Sequence, residues 1–189
     1  MRVVLVDEDA GRLALLDDAL RTAGHQVVGR LDPAANLTAA VDRLQPDIVL
    51  IDVDNPSRDT LESLGQISRE RPRPIVLFAK ASDPDTIRRA VAAGVSAYVV
   101  DGMSPARLAP VIEVAIARFR DYQALREELN STRLKLADRR DIERAKGLLM
   151  KRKGLDEDAA FAALRNLAMD RNLRLGDVAR SLIAAAELL

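Results

Sequence analysis

The first hundred residues alternate short apolar runs with longer stretches in which apolar side chains recur every three or four positions. The runs fall at residues 3–6, 26–29, 48–51, 75–78 and 97–100 and are rich in Val and Ile. They are mostly unbroken rather than alternating, the pattern of strands buried on both faces of a parallel sheet. Between them, residues 10–23, 34–44, 59–69 and 83–93 are each long enough for a crossover helix. Such βα units predict an α/β domain: a doubly wound, five-stranded parallel sheet whose right-handed crossovers lay helices on both faces. Gly24 and Gly94 each follow an Ala-rich helix and suit its left-handed end.

Beyond Ser104 the pattern is helical throughout. Ser104-Pro105 reads as an N-cap followed by Pro at the first helical position, and apart from Pro110 no Gly or Pro follows until Gly147. That predicts a helix of roughly 35 residues, about 50 Å long. Its second half carries Tyr122, Leu125, Leu129, Thr132 and Leu136 at alternating three- and four-residue steps among Arg, Glu, Gln, Asp and Lys. This is a short coiled-coil seam with a polar Thr in it, through which two copies of the chain would form a homodimer. The alternative is a solvated linker helix packing back on its own domain. Residues 138–189 follow as an all-α end of three short helices, at 141–152, 156–170 and 175–188. Ile142, Ala145, Leu148 and Leu149 supply one apolar face of this end, Phe161, Leu164, Leu167 and Ala168 a second, and Val178, Leu182 and Ile183 a third. The expected organisation is a sheet domain over residues 1–118, a helical linker over 119–137 and a three-helix module over 138–189.

Composition removes many chemistries. Of 189 residues, 48% are apolar and 31% charged, an ordinary globular balance. Basic and acidic residues number 29 each, so net charge identifies no partner. Without Cys there are no disulfides, thiolate metal sites or Cys nucleophiles, and the one His, His25, makes a nucleophile–His relay improbable. No run of about 18 apolar residues suggests a membrane span. A cytoplasmic protein is expected.

Candidate chemistry gathers beyond the carboxyl ends of strands one and three, neighbours at the switch point of a 2-1-3-4-5 sheet. Asp7 and Glu8 end the first strand and Asp52 the third. Converging carboxylates repel unless a divalent cation or a proton offsets them. The runs Val3-Val4-Leu5-Val6-Asp7-Glu8, Pro46-Asp47-Ile48-Val49-Leu50-Ile51-Asp52 and Ala93-Gly94-Val95-Ser96-Ala97-Tyr98 resemble the receiver domain of bacterial response regulators, a flavodoxin-like fold. The resemblance implies that Asp7, Glu8 and Asp52 hold Mg2+ and that Asp52 is the phosphoacceptor. Two positions depart from it. Ala79 stands where receivers carry Ser or Thr, and Asp101-Gly102 follows strand five where they carry Lys. A carboxylate there would repel a phosphorylated Asp52, which favours control by a protein partner on the receiver over phosphorylation.

In the last fifty residues, Arg144-Ala145-Lys146-Gly147 and, later, Ala168-Met169-Asp170-Arg171 resemble the ANTAR domain, the RNA-binding antitermination module of the AmiR and NasR regulators. Receiver, helical stalk and this tail together are similar to the NasT-type antiterminators of nitrate and nitrite assimilation, whose receivers share the Tyr98-Val99-Val100-Asp101-Gly102 run. The resemblance implies dimeric binding of paired hairpins in leader mRNA and a NasS-like sensor that holds the receiver at rest. Arg144, Lys146, Lys151, Arg165 and Arg171 can contact phosphates. Ala145 and Gly147 would admit an RNA loop close to the backbone, and Met150 would offer an apolar surface to its bases. Among these, Ala145 and Met150 suit a helical core as well, as do Ala168 and Met169. A DNA-binding response regulator switched by aspartyl phosphorylation is the alternative, with residues 173–182 as turn and recognition helix and Arg180 as the base-reading candidate. Asp52-Val53-Asp54 also resembles the carboxylate pair of metal-dependent phosphohydrolases, although it lies on the third strand rather than the first.

Overall fold

The computed structural model describes residues 1–80 and 83–187 of the chain, which divides into two compact units, Met1–Gln123 and Ala124–Leu189. In the first, strands β1 (Arg2–Val6), β2 (Gln26–Leu31), β3 (Ile48–Val53), β4 (Ile75–Ala79) and β5 (Ala97–Val100) form one parallel sheet in the order β2-β1-β3-β4-β5. The expected doubly wound architecture is what the chain adopts. Helices α1 (Ala10–Thr22), α2 (Leu37–Leu44), α3 (Arg58–Glu70) and α4 (Pro84–Ala92) are the crossovers. Their starts are set by side chains that accept backbone N–H groups of the first turn, namely Asp9, Asn36, Ser57 and Asp83. Gly24 and Gly94 leave α1 and α4 with φ of 78° and 88°.

Alternate residues of the unbroken strands feed two cores. Val4, Val6, Val49, Ile51, Ile75 and Leu77 pack against Leu37 and Val41 of α2, Leu61, Leu64 and Ile67 of α3 and Ala90 of α4. On the opposite face, Val3, Leu5, Ile48, Leu50, Val76 and Phe78 meet Leu16 and Leu20 of α1 and Leu108, Ile112 and Ala115 of α5 (Pro105–Lys153). Each large aliphatic side chain so buried contributes about 1.5–3 kcal/mol.

The long helix departs from its expected end. α5 is one continuous helix of 49 residues that passes through Gly147 and stops at Gly154 (φ 65°), so the tail's first segment is the end of α5 rather than a separate helix. Helices α6 (Glu157–Asp170) and α7 (Leu175–Glu187) complete the second unit; the expected last residue of the third segment, Leu188, lies outside the described residues. Its core joins Ala145 and Leu149 of α5 to Ala160, Leu164 and Ala168 of α6 and Val178, Ala179 and Ile183 of α7. Small residues bring the helices close. A Cβ on Gly176 would collide with the Asp138 carboxylate. Phe161, expected in this core, is 40% exposed instead.

Candidate functional sites: an acidic pocket and a basic tail

The β1–β3 register pairs Val6 with Ile51, which brings Asp7 and Asp52 to neighbouring positions at the carboxyl end of the sheet. Both side chains are buried. Between them lies a residue that the strand-end pattern did not reveal. Arg12, in the first turn of α1, donates from Nε and Nη2 to the two oxygens of Asp7 at 2.5 and 2.6 Å, and its Nε stands 3.4 Å from Asp52 Oδ2. The hydrogen bond with Asp7 and the charge of Asp52 raise the Arg12 pKa further. The sequence did hold one signal: a cation at the start of a helix opposes the macrodipole, so its presence there asks for a specific anion.

The loop after β5 closes the pocket over Asp52. Asp101 and Gly102 take positive φ, 74° and 69°, and a Cβ on Gly102 would stand 3.6 Å from Asp52 Oδ2. The Met103 N–H donates to that oxygen at 2.9 Å. Arg107, one turn into α5, donates to the carbonyls of Asp101 and Gly102 at 3.1 Å each and so holds the loop against the helix. Burial pushes the Asp52 carboxyl above its ordinary value, and the Met103 hydrogen bond and the Arg12 charge only partly offset it. At the rim, Lys80 pairs with the exposed Asp54 at 2.7 Å.

These residues do not fit Mg2+ in this arrangement. The ion takes oxygen ligands at about 2.0–2.1 Å in octahedral geometry. Here both Asp7 oxygens bind a guanidinium, Asp7 Oδ1 also accepts the Asp9 N–H at 2.8 Å, and Asp52 Oδ2 is engaged by Met103. Glu8, expected to be the third ligand, points to solvent, because it follows the buried Asp7 by one residue where the chain leaves the sheet. Among the described residues no group of three His, Cys, Asp or Glu side chains is placed to hold a metal.

In the tail, the expected RNA-binding residues separate into two groups. Ala145 is fully buried under α6 and α7, so the close approach it permits is that of its own helices. Lys146 is also largely buried. Its Nζ donates to both Glu143 oxygens at 3.0 Å and to Glu157 at 2.7 Å. Glu157, then Glu143, raise the Lys146 pKa, and Lys146 lowers that of Glu157. The charge expected to meet a phosphate is therefore compensated within the tail. Arg144, Gly147, Met150 and Lys151 are exposed on α5, and Arg165 on α6 is exposed, as is Arg171 just after it. Lys151, Arg165 and Arg171 make no ion pair among the described residues. Sequence reasoning missed the exposed apolar partners on α6: Phe161 and Met169 lie four residues either side of Arg165 and are 40% and 71% exposed, which places all three on one helix face.

Arg180 is occupied too. It donates to Asp138 at 2.8 Å, to Asp141 at 3.3 Å and to Asp177, and Asp138 also accepts from Arg174 at 3.1 Å. Tyr122, Leu125, Leu129, Thr132 and Leu136 are all exposed along α5 in the single chain.

Residues 3–113 match the response regulator receiver domain, and residues 130–183 match the ANTAR domain. The chain belongs to the response regulators that join these two modules, and it is a regulator rather than an enzyme. It is 36% identical over 179 residues to the transcriptional regulatory protein PdtaR of Mycobacterium tuberculosis, an alignment that covers 94% of this chain and 87% of PdtaR. Among solved structures, the signal receiver domain of a modulated diguanylate cyclase from Desulfovibrio desulfuricans G20 superposes with a TM-score of 0.52 at 25% identity, over 63% of this chain and 95% of that one. A LuxR-family two-component response regulator from Aurantimonas gives 0.53 at 27% identity, over 61% and 84%.

Proposed function

We propose that this response regulator is an RNA-binding transcription antitermination factor, working in the cytoplasm as a dimer on paired hairpins of leader transcripts. The observation that carries the reading is Gly147. A mid-helix Gly costs about 1 kcal/mol relative to Ala, and a Cβ added there would meet nothing within 4 Å. No packing inside the tail asks for it. A close approach from outside does, and Arg144, Met150 and Lys151 surround the bare backbone at helical neighbour spacing. Phe161, Arg165 and Met169 offer a second exposed face with cationic and apolar surface together, which suits splayed loop bases better than a duplex.

In this reading Lys151, Arg165 and Arg171 neutralise phosphates, while Lys146 ties α5 to the start of α6. The coiled-coil seam from Tyr122 to Leu136 presents the tails as a pair. A sensor protein of NasS type, bound to the receiver, would hold the chain at rest until nitrate or nitrite reaches that sensor; Ala79 and Asp101, in place of the usual hydroxyl and Lys, support a partner rather than a phosphoryl group as the trigger. A DNA-reading function finds less support, since three carboxylates hold Arg180.

Titration of the full chain with a leader RNA of paired hairpins, and with duplex DNA of the same sequence at matched salt, tests the proposal. RNA is expected to bind more tightly. Lys151→Ala and Arg165→Ala should each reduce the salt slope of log affinity by about 0.7–0.9. Equal affinity for the duplex, or slopes unchanged in both variants, would remove the tail from the RNA interface.

A further inference from the structure

The acidic pocket goes beyond the RNA reading and does not depend on it. Two buried carboxylates side by side need a cation, because each charge taken from water without a partner costs several kcal/mol. In this chain the cation is covalently part of the protein. The guanidinium of Arg12 matches both oxygens of Asp7 with its planar fork and reaches Asp52 with the same nitrogen. Bidentate pairing of this kind is stronger and more directional than a point charge. The Asp7 and Asp52 side chains are 0% and 1% exposed, and that of Arg12 is 27% exposed. The remaining negative charge is met in part by the Met103 N–H on Asp52, while Lys80 at the rim pairs with Asp54.

We propose that Arg12 is the resident cation of this pocket: it takes the position between Asp7 and Asp52 that a divalent ion would need, and it keeps such ions out. One of the two carboxylate charges is thereby offset in every ionic condition the cell offers, and the closed state of the pocket, with the loop after β5 bonded to Asp52, is set without a metal. Arg12 acts as a positioning residue. Removing its side chain leaves two buried carboxylates, Glu8 at the rim and room between them, a set that Mg2+ or Mn2+ can satisfy.

The test uses the full chain. Thermal unfolding is followed with and without millimolar Mg2+, and Mn2+ binding is followed by the loss of its free electron paramagnetic resonance signal. The unmodified chain is expected to show neither a Mg2+-dependent rise in its thermal midpoint nor Mn2+ uptake. Arg12→Ala should acquire both, with divalent-ion affinity up by about tenfold or more, and adding Asp52→Asn should abolish the gain. Arg12→Gln, which keeps the side-chain bulk, should bind Mn2+ less well than Arg12→Ala and serves if that variant does not fold. Mn2+ uptake by the unmodified chain that Asp52→Asn removes would overturn the proposal. So would a folded Arg12→Ala or Arg12→Gln variant that gains no affinity.

Discussion

Two buried aspartates of the receiver respond to pH in opposite directions. Burial disfavours the Asp17 carboxylate, but hydrogen bonds from Arg21, at 3.0 Å, and from Arg30 more than offset it, so its pKa lies below the ordinary value. Its stabilisation is complete above the pKa of the unfolded chain, about 3.9, and is lost as pH falls through the lowered folded value. Asp52 is raised by burial, so its contribution is present below the unfolded value and disappears as pH rises through the raised one. Asp17→Asn should therefore lower stability at neutral pH by about 1 kcal/mol, below the range of a buried charged hydrogen bond because about half or more of each arginine is exposed, with the deficit closing in acid. Asp52→Asn should raise the thermal midpoint at neutral pH and keep the Met103 hydrogen bond, because the amide oxygen still accepts. Thermal midpoints across the acid-to-neutral range check both signs. Asp7 and Asp52 could be picked out in the sequence as strand-end carboxylates, but their neutralisation by Arg12 could not, since helix position alone does not say which way a long side chain folds back.

Among the helices, α5 separates local signals from tertiary ones. Gly147 lies inside a helix in the sequence reading as well, and the helix continues through it because the cost of a single Gly is outweighed by the packing of Ala145 and Leu149 on α6 and α7. Gly147→Ala should stabilise the tail by about 0.5–1 kcal/mol while weakening leader-RNA binding, since the added methyl sits where the RNA backbone or a base would approach. Parallel measurement of tail unfolding and RNA affinity checks the pair of effects; tighter binding by the more stable variant would count against contact there. Phe161 shows the opposite limit. Its spacing with Leu164 and Ala168 predicted core, but a three-helix tail buries only the narrow stripe facing its two neighbours, and Phe161 falls at the edge.

For the molecule as a whole, the central question is how many copies act together. The stripe from Tyr122 to Leu136 sets large apolar side chains in water along α5, and none of them belongs to the cores of the described residues. The proposed dimer would remove that exposure by burying the stripe against a second copy. Leu129→Lys should weaken dimerisation by about tenfold or more, equivalent to about 1.4 kcal/mol, without changing the unfolding of either unit. Sedimentation over a concentration series, with circular dichroism melting alongside, reads the two effects separately. RNA binding should fall with the dimer, because two linked tails on two hairpins gain from effective concentration.

The sequence by itself determined the doubly wound sheet, the order of its strands, a long helix after Ser104 and a helical tail, but not that the long helix runs unbroken to Lys153. The strands and helices rest on periodicity and end signals that act over a few residues, and the strand order on the connection rules of doubly wound sheets. Only the tertiary structure decided which charges remain available. Arg12 is drawn onto Asp7 and Asp52, Lys146 onto Glu143 and Glu157, and Arg180 onto three aspartates. Each cation is tied to at least one carboxylate that it meets only once helices and strands have packed, Arg12 to Asp52, Lys146 to Glu157 and Arg180 to Asp138 and Asp141. The i,i+3 pairs of Lys146 with Glu143 and of Arg180 with Asp177 add to this, each within one helix. Lys151, Arg165 and Arg171 stay exposed for the same reason: the fold brings no carboxylate to them among the described residues.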